Sequence, residues 1–169
     1  TDNPRTLQLT QDTTLTAEFD YILSGQCGDN LYWEFSDTTL YITGTGNMQK
    51  SVPWEHLADQ IKSIYVAEGV TYIYERAFDK CKSVTTILWN AKNHVDYIYD
   101  FQNEVYPLFY YIASQITSFI LGDQVEHIPA YLCYNLYKLT TITFPEDITS
   151  VGKSAFRYCS GLTSFVWNA

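Results

Sequence analysis

Residues 139–167 read LTTITFPEDITSVGKSAFRYCSGLTSFVW. The stretch opens with Leu139-x-x-Ile142-x-Phe144 and, 23 residues on, repeats itself as Leu162-x-x-Phe165-x-Trp167. The same pattern stands upstream at Ile61-x-x-Ile64-x-Val66, Val84-x-x-Ile87-x-Trp89 and Ile116-x-x-Phe119-x-Leu121. Its middle anchors Ile64, Ile87, Phe119, Ile142 and Phe165 are spaced by 23, 32, 23 and 23 residues. Between anchors further apolar columns match: Val70, Val125 and Ile148; Ile73, Ile128 and Val151; Phe78, Cys133 and Phe156; Cys81, Leu136 and Cys159. A fixed period of this length marks a solenoid.

Each unit predicts a short strand, a turn and a return segment. One unit cannot cover its own apolar face, but stacked units turn each column into a stripe of shared core, with strands pairing in parallel about 4.8 Å apart. The fold class expected is therefore an α/β, β-rich leucine-rich repeat solenoid, with one parallel strand per 23-residue repeat. The return segments, such as 74–82 and 153–160, are short, and the pattern leaves open whether they are helical turns or irregular.

Upstream of the array the period changes. Leu31, Trp33 and Phe35 alternate with polar residues, as do Leu40 and Ile42, across Ser36-Asp37-Thr38-Thr39; this reads as a β-hairpin. Gly44-Thr45-Gly46 reads as a turn, and Pro53 as the first residue of a short amphipathic helix through about Gln60. Residues 25–60 thus form an N-terminal cap, which hides the first face of the stack. Residues 61–169 form the array, with one irregular 32-residue unit at 87–118. Residues 1–24, where Leu7, Leu9, Leu15, Ala17 and Phe19 alternate, read as a linker or the tail of a preceding β repeat.

The 169 residues carry a formal charge of −9, 46% hydrophobic and 17% aromatic residues, 15 of the latter tyrosine. An acidic chain is a poor match for nucleic-acid phosphates or anionic lipid. No apolar run reaches the 18 residues of a membrane span, so neither nucleic acid nor membrane insertion is expected. The start at Thr1 without a signal peptide reads as a fragment or processed form. The close at Trp167-Asn168-Ala169, repeating Trp89-Asn90-Ala91, reads as an array that continues or a shortened last unit. Cys81, Cys133 and Cys159 fall in inward columns and Cys27 in the cap, as small buried hydrophobes with free thiols.

The motifs CGDNLYWEF (27–35), TLYITGTGNM (39–48), Pro53-Trp54, EGVTYIYERAFDKCKSVTTI (68–87) and PEDITSVGKSAFRYCSGLTSF (145–165) carry a resemblance. Over residues 25–169 the chain resembles BspA-type leucine-rich repeat proteins. The resemblance implies surface-exposed or secreted proteins of host-associated bacteria that adhere to host proteins and other cells. It implies no catalytic residues. The chain departs from the family pattern in the unit 87–119, which is nine residues long in excess and lacks the AFxxC segment, and in placing Cys133 in the phenylalanine column.

Two regions are candidate contact surfaces. The outer, concave face of the sheet carries Ser63, Thr86, Ser118, Thr141 and Ser164 before each anchor, and Tyr65, Leu88, Ile120, Thr143 and Val166 after it. Thr86, Ser118 and Thr141 with Tyr65, Leu88 and Ile120 would give a flat contact face; Ser and Thr also simply suit closely spaced parallel strands. In the irregular unit Tyr97, Tyr99, Phe101, Tyr106, Phe109, Tyr110 and Tyr111 crowd together beside Pro107. Aromatic residues dominate binding hot spots, although about half of these rings are expected to fill the core of an imperfect repeat. Glu68, Asp123, Glu146 and Asp147 recur on the post-strand turns, where solvated carboxylates are common and calcium is conceivable. No C-x-x-C, HExxH, GxSxG or P-loop occurs, and His56, His94 and His127 lie on unrelated segments. No metal, cofactor or catalytic site is assigned. The reading is a non-enzymatic protein-interaction or adhesion module of a bacterial cell-surface or secreted protein, with a protein partner of the host extracellular or cell-surface kind. The alternatives are a glycan-binding module and a structural spacer.

Overall fold

The computed structural model of the chain describes residues 22–168; the expected linker or β-repeat tail at 1–24 lies almost wholly outside them. In chain order the strands are β1 (Ser24–Gln26), β2 (Gly28–Ser36), β3 (Thr39–Met48), β4 (Ser63–Val66), β5 (Val70–Tyr72), β6 (Thr86–Trp89), β7 (Ser118–Leu121), β8 (His127–Ile128), β9 (Thr141–Phe144), β10 (Ser150–Val151) and β11 (Ser164–Trp167). Two 3-10 turns, Glu55–Leu57 and Tyr110–Ile112, are the helical elements among the described residues. The return segments are otherwise hydrogen-bonded turns. The expected helix at 53–60 shrinks to the first of these 3-10 turns: the amides of Glu55, Leu57, Ala58 and Gln60 each bond the carbonyl three residues back, at Val52, Trp54, Glu55 and Leu57.

The cap hairpin forms as expected. β2 and β3 pair antiparallel, from Ser36↔Thr39 through Leu31↔Gly44, and β1 adds antiparallel to β2. The two-residue connection puts Asp37 and Thr38 at φ of 48° and 64°, the conformation whose twist suits a hairpin. Gly44-Thr45-Gly46 is not a turn but the continuation of β3. Gly44 (φ 97°) sits where a Cβ would meet the Asn30 carbonyl oxygen at 2.1 Å, so the two backbones approach closely just before the register shift between Asn30 and Gly28.

From β3 onward the strands are parallel and in register. Leu40↔Ile64, Ile64↔Ile87 and Ile87↔Phe119 pair across successive strands, and Ile142↔Phe165 continues the column between β9 and β11. Inward positions are buried: Leu40, Ile64, Ile87, Phe119 and Ile142 are all at most 4% exposed. One continuous core therefore runs from the cap through the coils.

The backbone ladder itself is broken once. β7 and β9 are neighbours, yet the seven-stranded sheet ends at β7 and β9 pairs only with β11. In the other coils the residue after the strand donates its N–H to the preceding coil: Ala67 to Ile42 O, Asn90 to Val66 O and Gly122 to Trp89 O, each at 2.9 Å, and Asn168 to Phe144 O at 3.3 Å. After β9 that residue is Pro145, which has no hydrogen to donate. On the return side the same two coils are tied normally, by Gly152 N–H to Ile128 O (2.7 Å) and Cys133 N–H to Ala155 O (2.9 Å). The tie before the strand, made by Thr85 to Lys62 O, Thr117 to Thr85 O and Thr163 to Thr140 O, also has no counterpart from Thr140 to Thr117 among the described residues. A wedge of about 320 Å³ opens there on the outer face of the sheet, lined by Thr and Ser hydroxyls and by Phe119, Ile120 and Leu121.

The irregular unit is a complete coil with a loop added. Its return segment, FYYIASQI (109–116), matches the cap's WEHLADQI (54–61) rather than AFxxC. The backbone bonds match too: Leu57 to Trp54 O and Gln60 to Leu57 O in one, Ile112 to Phe109 O and Gln115 to Ile112 O in the other. Phe109 consequently enters the phenylalanine column. It stacks on Phe78 with centroids 5.6 Å apart, and Phe78 stacks on Trp54 at 6.0 Å. The excess residues form the loop 98–106, closed by an Asp100–Val105 bridge. The Asp100 carboxylate accepts the Gln102 and Asn103 amides within it.

Candidate functional site

The predicted aromatic residues divide by depth. Tyr97 (3% exposed) and Phe109 (1%) are core, which corrects their expected place at a contact surface. Phe109 is buried by the stack just described. Tyr97 is buried because its hydroxyl serves an internal polar cluster, 3.1 Å from His94 Nε2 and 3.5 Å from the Ile73 carbonyl. His94 itself is 2% exposed. Its Nε2 accepts the Ile73 amide at 3.0 Å, so the ring proton sits on Nδ1 and goes to the Val95 carbonyl at 2.7 Å. Desolvation pushes the imidazole down to about 4 from its ordinary 6.5, so this histidine is neutral and structural.

Phe101 and Tyr111 are exposed, at 70% and 42%, while Tyr99, Tyr106 and Tyr110 are half-buried. The half-buried rings pack on one another: Tyr106 lies 4.7 Å from Tyr110 and Tyr99 lies 6.1 Å from Tyr106. Tyr99 also reaches the next coil, with its centroid 6.1 Å from Tyr131 and 5.3 Å from Tyr134. Tyr131 and Tyr134 were not legible as part of this surface, since they sit outside the 97–111 run. Their signal is positional: they occupy the return segment that stacks directly beside the loop.

On the sheet face Tyr65, Leu88, Thr86 and Ser118 are half-buried, Thr141 is exposed and Ile120 is 50% exposed. In-register pairing aligns Tyr41, Tyr65, Leu88 and Ile120 in one outward column. Tyr41 extends the predicted column into the cap and packs on Tyr65 at 5.6 Å. The structure brings Thr86 and Ser118 together across β6 and β7 but separates both from Thr141 by the wedge. The sheet face and the tyrosine surface are distinct, one carried by strands and the other by return segments.

A third constellation links three coils. Ser150 Oγ lies 2.8 Å from His127 Nδ1, and His127 Nε2 lies 2.9 Å from Asp96 Oδ1. Burial works to raise the Asp96 carboxyl, but the Ala130 amide at 2.6 Å and the His127 ring outweigh it and hold it below the ordinary carboxylate value. These are residue types of an acyl-transfer relay, yet the Ser150 and Gly152 amides are spent on Glu126 O and Ile128 O. Neither can face an oxyanion, the donor arrangement such chemistry needs. The group fastens successive coils.

Burial pushes the thiols up, Cys27 to about 11 and Cys81 to about 12, and Cys133 well above its usual value. All four cysteines are free; three are buried and Cys159 is half-buried. Among the described residues no group of three or more His, Cys, Asp or Glu is placed to hold a metal ion. Nor is any helix there long and apolar enough to cross a membrane.

Comparison with known proteins agrees with this geometry. Residues 56–169 match the BspA type leucine rich repeat region in six copies. The chain belongs to that family. The BspA-type repeat begins inside the cap's 3-10 turn, consistent with the likeness between residues 54–61 and 109–116. Among solved structures, the chain is similar to a leucine-rich repeat protein from Eubacterium ventriosum, with 20% identity, a TM-score of 0.50, and coverage of 86% of this chain and 44% of that one. A leucine rich cell surface protein from Faecalibacterium prausnitzii matches at 15% identity and a TM-score of 0.27, over 89% of this chain and 56% of that one. The chain thus spans less than two thirds of either structure's length. No curated protein matches.

Proposed function

We propose that this BspA-type array is a protein-interaction module of a bacterial surface or secreted protein, and that it contacts a host extracellular protein. The observation that carries the reading is the tyrosine surface of the irregular unit. Tyr99, Tyr106 and Tyr110 hold each other in place, so little rotamer freedom remains to be lost on binding. Phe101 and Tyr111 stand out beside them as exposed anchors. Large rings with polar tips on a rigid scaffold are the usual currency of protein recognition. A glycan platform is less well supported, because the faces that would stack on sugar are largely turned to one another. The sheet face, with Tyr65, Leu88 and Ile120 among hydroxyls, offers a second, flatter contact area. Adhesion follows only from family likeness.

The test is capture of purified extracellular-matrix and cell-surface proteins on the immobilised chain. Wild type is expected to retain at least one, and Phe101→Ala/Tyr111→Ala to lose it. Retention of none, or equal retention by both chains, would overturn the reading.

A further inference from the structure

Six tyrosines form an unbroken series of ring contacts that leaves the irregular unit and crosses two further coils. Tyr111 lies 5.4 Å from Tyr106, Tyr106 4.7 Å from Tyr110, and Tyr110 6.4 Å from Tyr99. Tyr99 lies 5.3 Å from Tyr134, and Tyr134 5.4 Å from Tyr158. A cation closes each end. Lys82 Nζ sits 5.8 Å over the Tyr111 ring and donates to the Tyr111 carbonyl at 2.6 Å. Arg157 sits 4.8 Å over the Tyr158 ring and donates to its hydroxyl at 2.9 Å. Among the described residues the hydroxyls of the other five have no hydrogen-bond partner, and the one buried unpartnered side-chain polar atom there lies elsewhere, on Trp89.

Charge is sorted around the coil in the same sense. The post-strand turns, 67–73, 90–97, 122–130 and 145–152, carry six carboxylates against one cation, Lys92. The return segments 74–83, 98–117, 131–138 and 153–160 carry six cations against four carboxylates, Asp100 and Glu104 of the irregular unit among the latter. In a chain of net charge −9, the side that carries the tyrosine strip is the less acidic one, and its cations stand at the two ends of the strip. Glu75 and Glu104 line the recess beside Tyr106 and Tyr111 together with Lys50 and Arg76, which leaves Lys82 and Arg157 as the cations that flank the strip itself.

We propose that the strip from Tyr111 to Tyr158 docks an extended acidic segment of a protein partner, with carboxylates at Lys82 and Arg157 and the free tyrosine hydroxyls along its backbone. This rests on the protein-interaction reading and names the chemistry of the partner. A cation held over an aromatic ring presents its charge with its stem already ordered, and opposite charge across a contact sets which partner is accepted. An acidic segment would approach against the overall field of the chain, so binding reports this surface rather than general attraction.

The probe is poly-L-glutamate, titrated against the whole chain by calorimetry and by NMR of the tyrosine rings. Saturable binding is expected, with shifts at the six strip tyrosines. Lys82→Glu/Arg157→Glu and Tyr111→Ala/Tyr158→Ala are each expected to weaken it at least tenfold. The charge-matched Lys62→Glu/Lys92→Glu is expected to stay within twofold. Absence of binding, shifts confined to other residues, or equal loss in the two charge variants would overturn the proposal; the wild-type NMR arm decides it even if a variant fails to fold. A protein partner whose capture survives Lys82→Glu/Arg157→Glu and Tyr111→Ala/Tyr158→Ala but is lost on Phe101→Ala would overturn this inference and leave the interaction reading standing.

Discussion

Acidification is expected to destabilise the chain through one buried histidine. His94 accepts the Ile73 amide and donates to the Val95 carbonyl in its neutral form, and protonation would put a charge in the core and abolish the acceptor. Its pKa is about 4 folded against 6.5 for the free group. Between those values the unfolded chain takes up the proton and the folded chain does not, so stability is full above about pH 6.5 and falls as pH drops toward 4. At roughly 1.4 kcal/mol for each pH unit across that window, the loss is about 3 kcal/mol. Urea unfolding of wild type and His94→Gln, followed by circular dichroism from pH 7 to 4, isolates the effect, since glutamine can accept and donate without titrating. The difference in unfolding free energy between the two should change by about 3 kcal/mol, most of it below pH 6.5. A difference independent of pH, or a His94 ring that titrates above pH 6 by NMR, would refute the reasoning.

Other outcomes follow from packing. Phe109→Ala should cost about 3–5 kcal/mol in chemical unfolding, as loss of a fully buried ring does, whereas Tyr111→Ala should cost less than about 1 kcal/mol; equal costs would contradict the division into core and surface. Gly152→Ala would place a Cβ 2.2 Å from the Ala130 amide nitrogen and 2.7 Å from its Cα, so a drop in melting temperature is expected, by the equivalent of about 1–3 kcal/mol. Pro145→Ala restores a donor opposite the Leu121 carbonyl, and the new amide should exchange with deuterium as slowly as that of Gly122. Exchange at the rate of an open loop would mean that proline is not what parts β7 from β9.

Much of this fold is legible because a solenoid repeats its chemistry. The anchors Ile64, Ile87, Phe119, Ile142 and Phe165 share one environment, so one period states five positions at once. The last two coils even share backbone conformation: Tyr131 and Ser154 have φ of 59° and 56°, and Asn135 and Tyr158 have 65° and 64°. What was not legible depends on contacts between coils. The match of 54–61 to 109–116 lies in the sequence, but it pairs the cap with the irregular unit and carries no AFxxC, so Phe109 reads as a surface ring. The polar partner that buries Tyr97 comes from His94, three residues away along an irregular turn that no period describes. Tyr134 and Tyr158 join the strip only because the inserted loop folds back over the following coil, a tertiary event. The wedge between β7 and β9 is a gap in the backbone ladder, which apolar patterning does not register.

The central claim is that the 32-residue unit closes as one coil, in register with its neighbours. Cysteine pairs on the outward column test it most directly, because Leu88 and Ile120 are paired partners on β6 and β7, and adjacent strands lie within disulfide reach. Mild oxidation of Leu88→Cys/Ile120→Cys should give near-complete intramolecular cross-linking, while Leu88→Cys/Thr143→Cys should give little. Preferential cross-linking of the second pair, or of neither, would contradict the stacked register and the fold built on it.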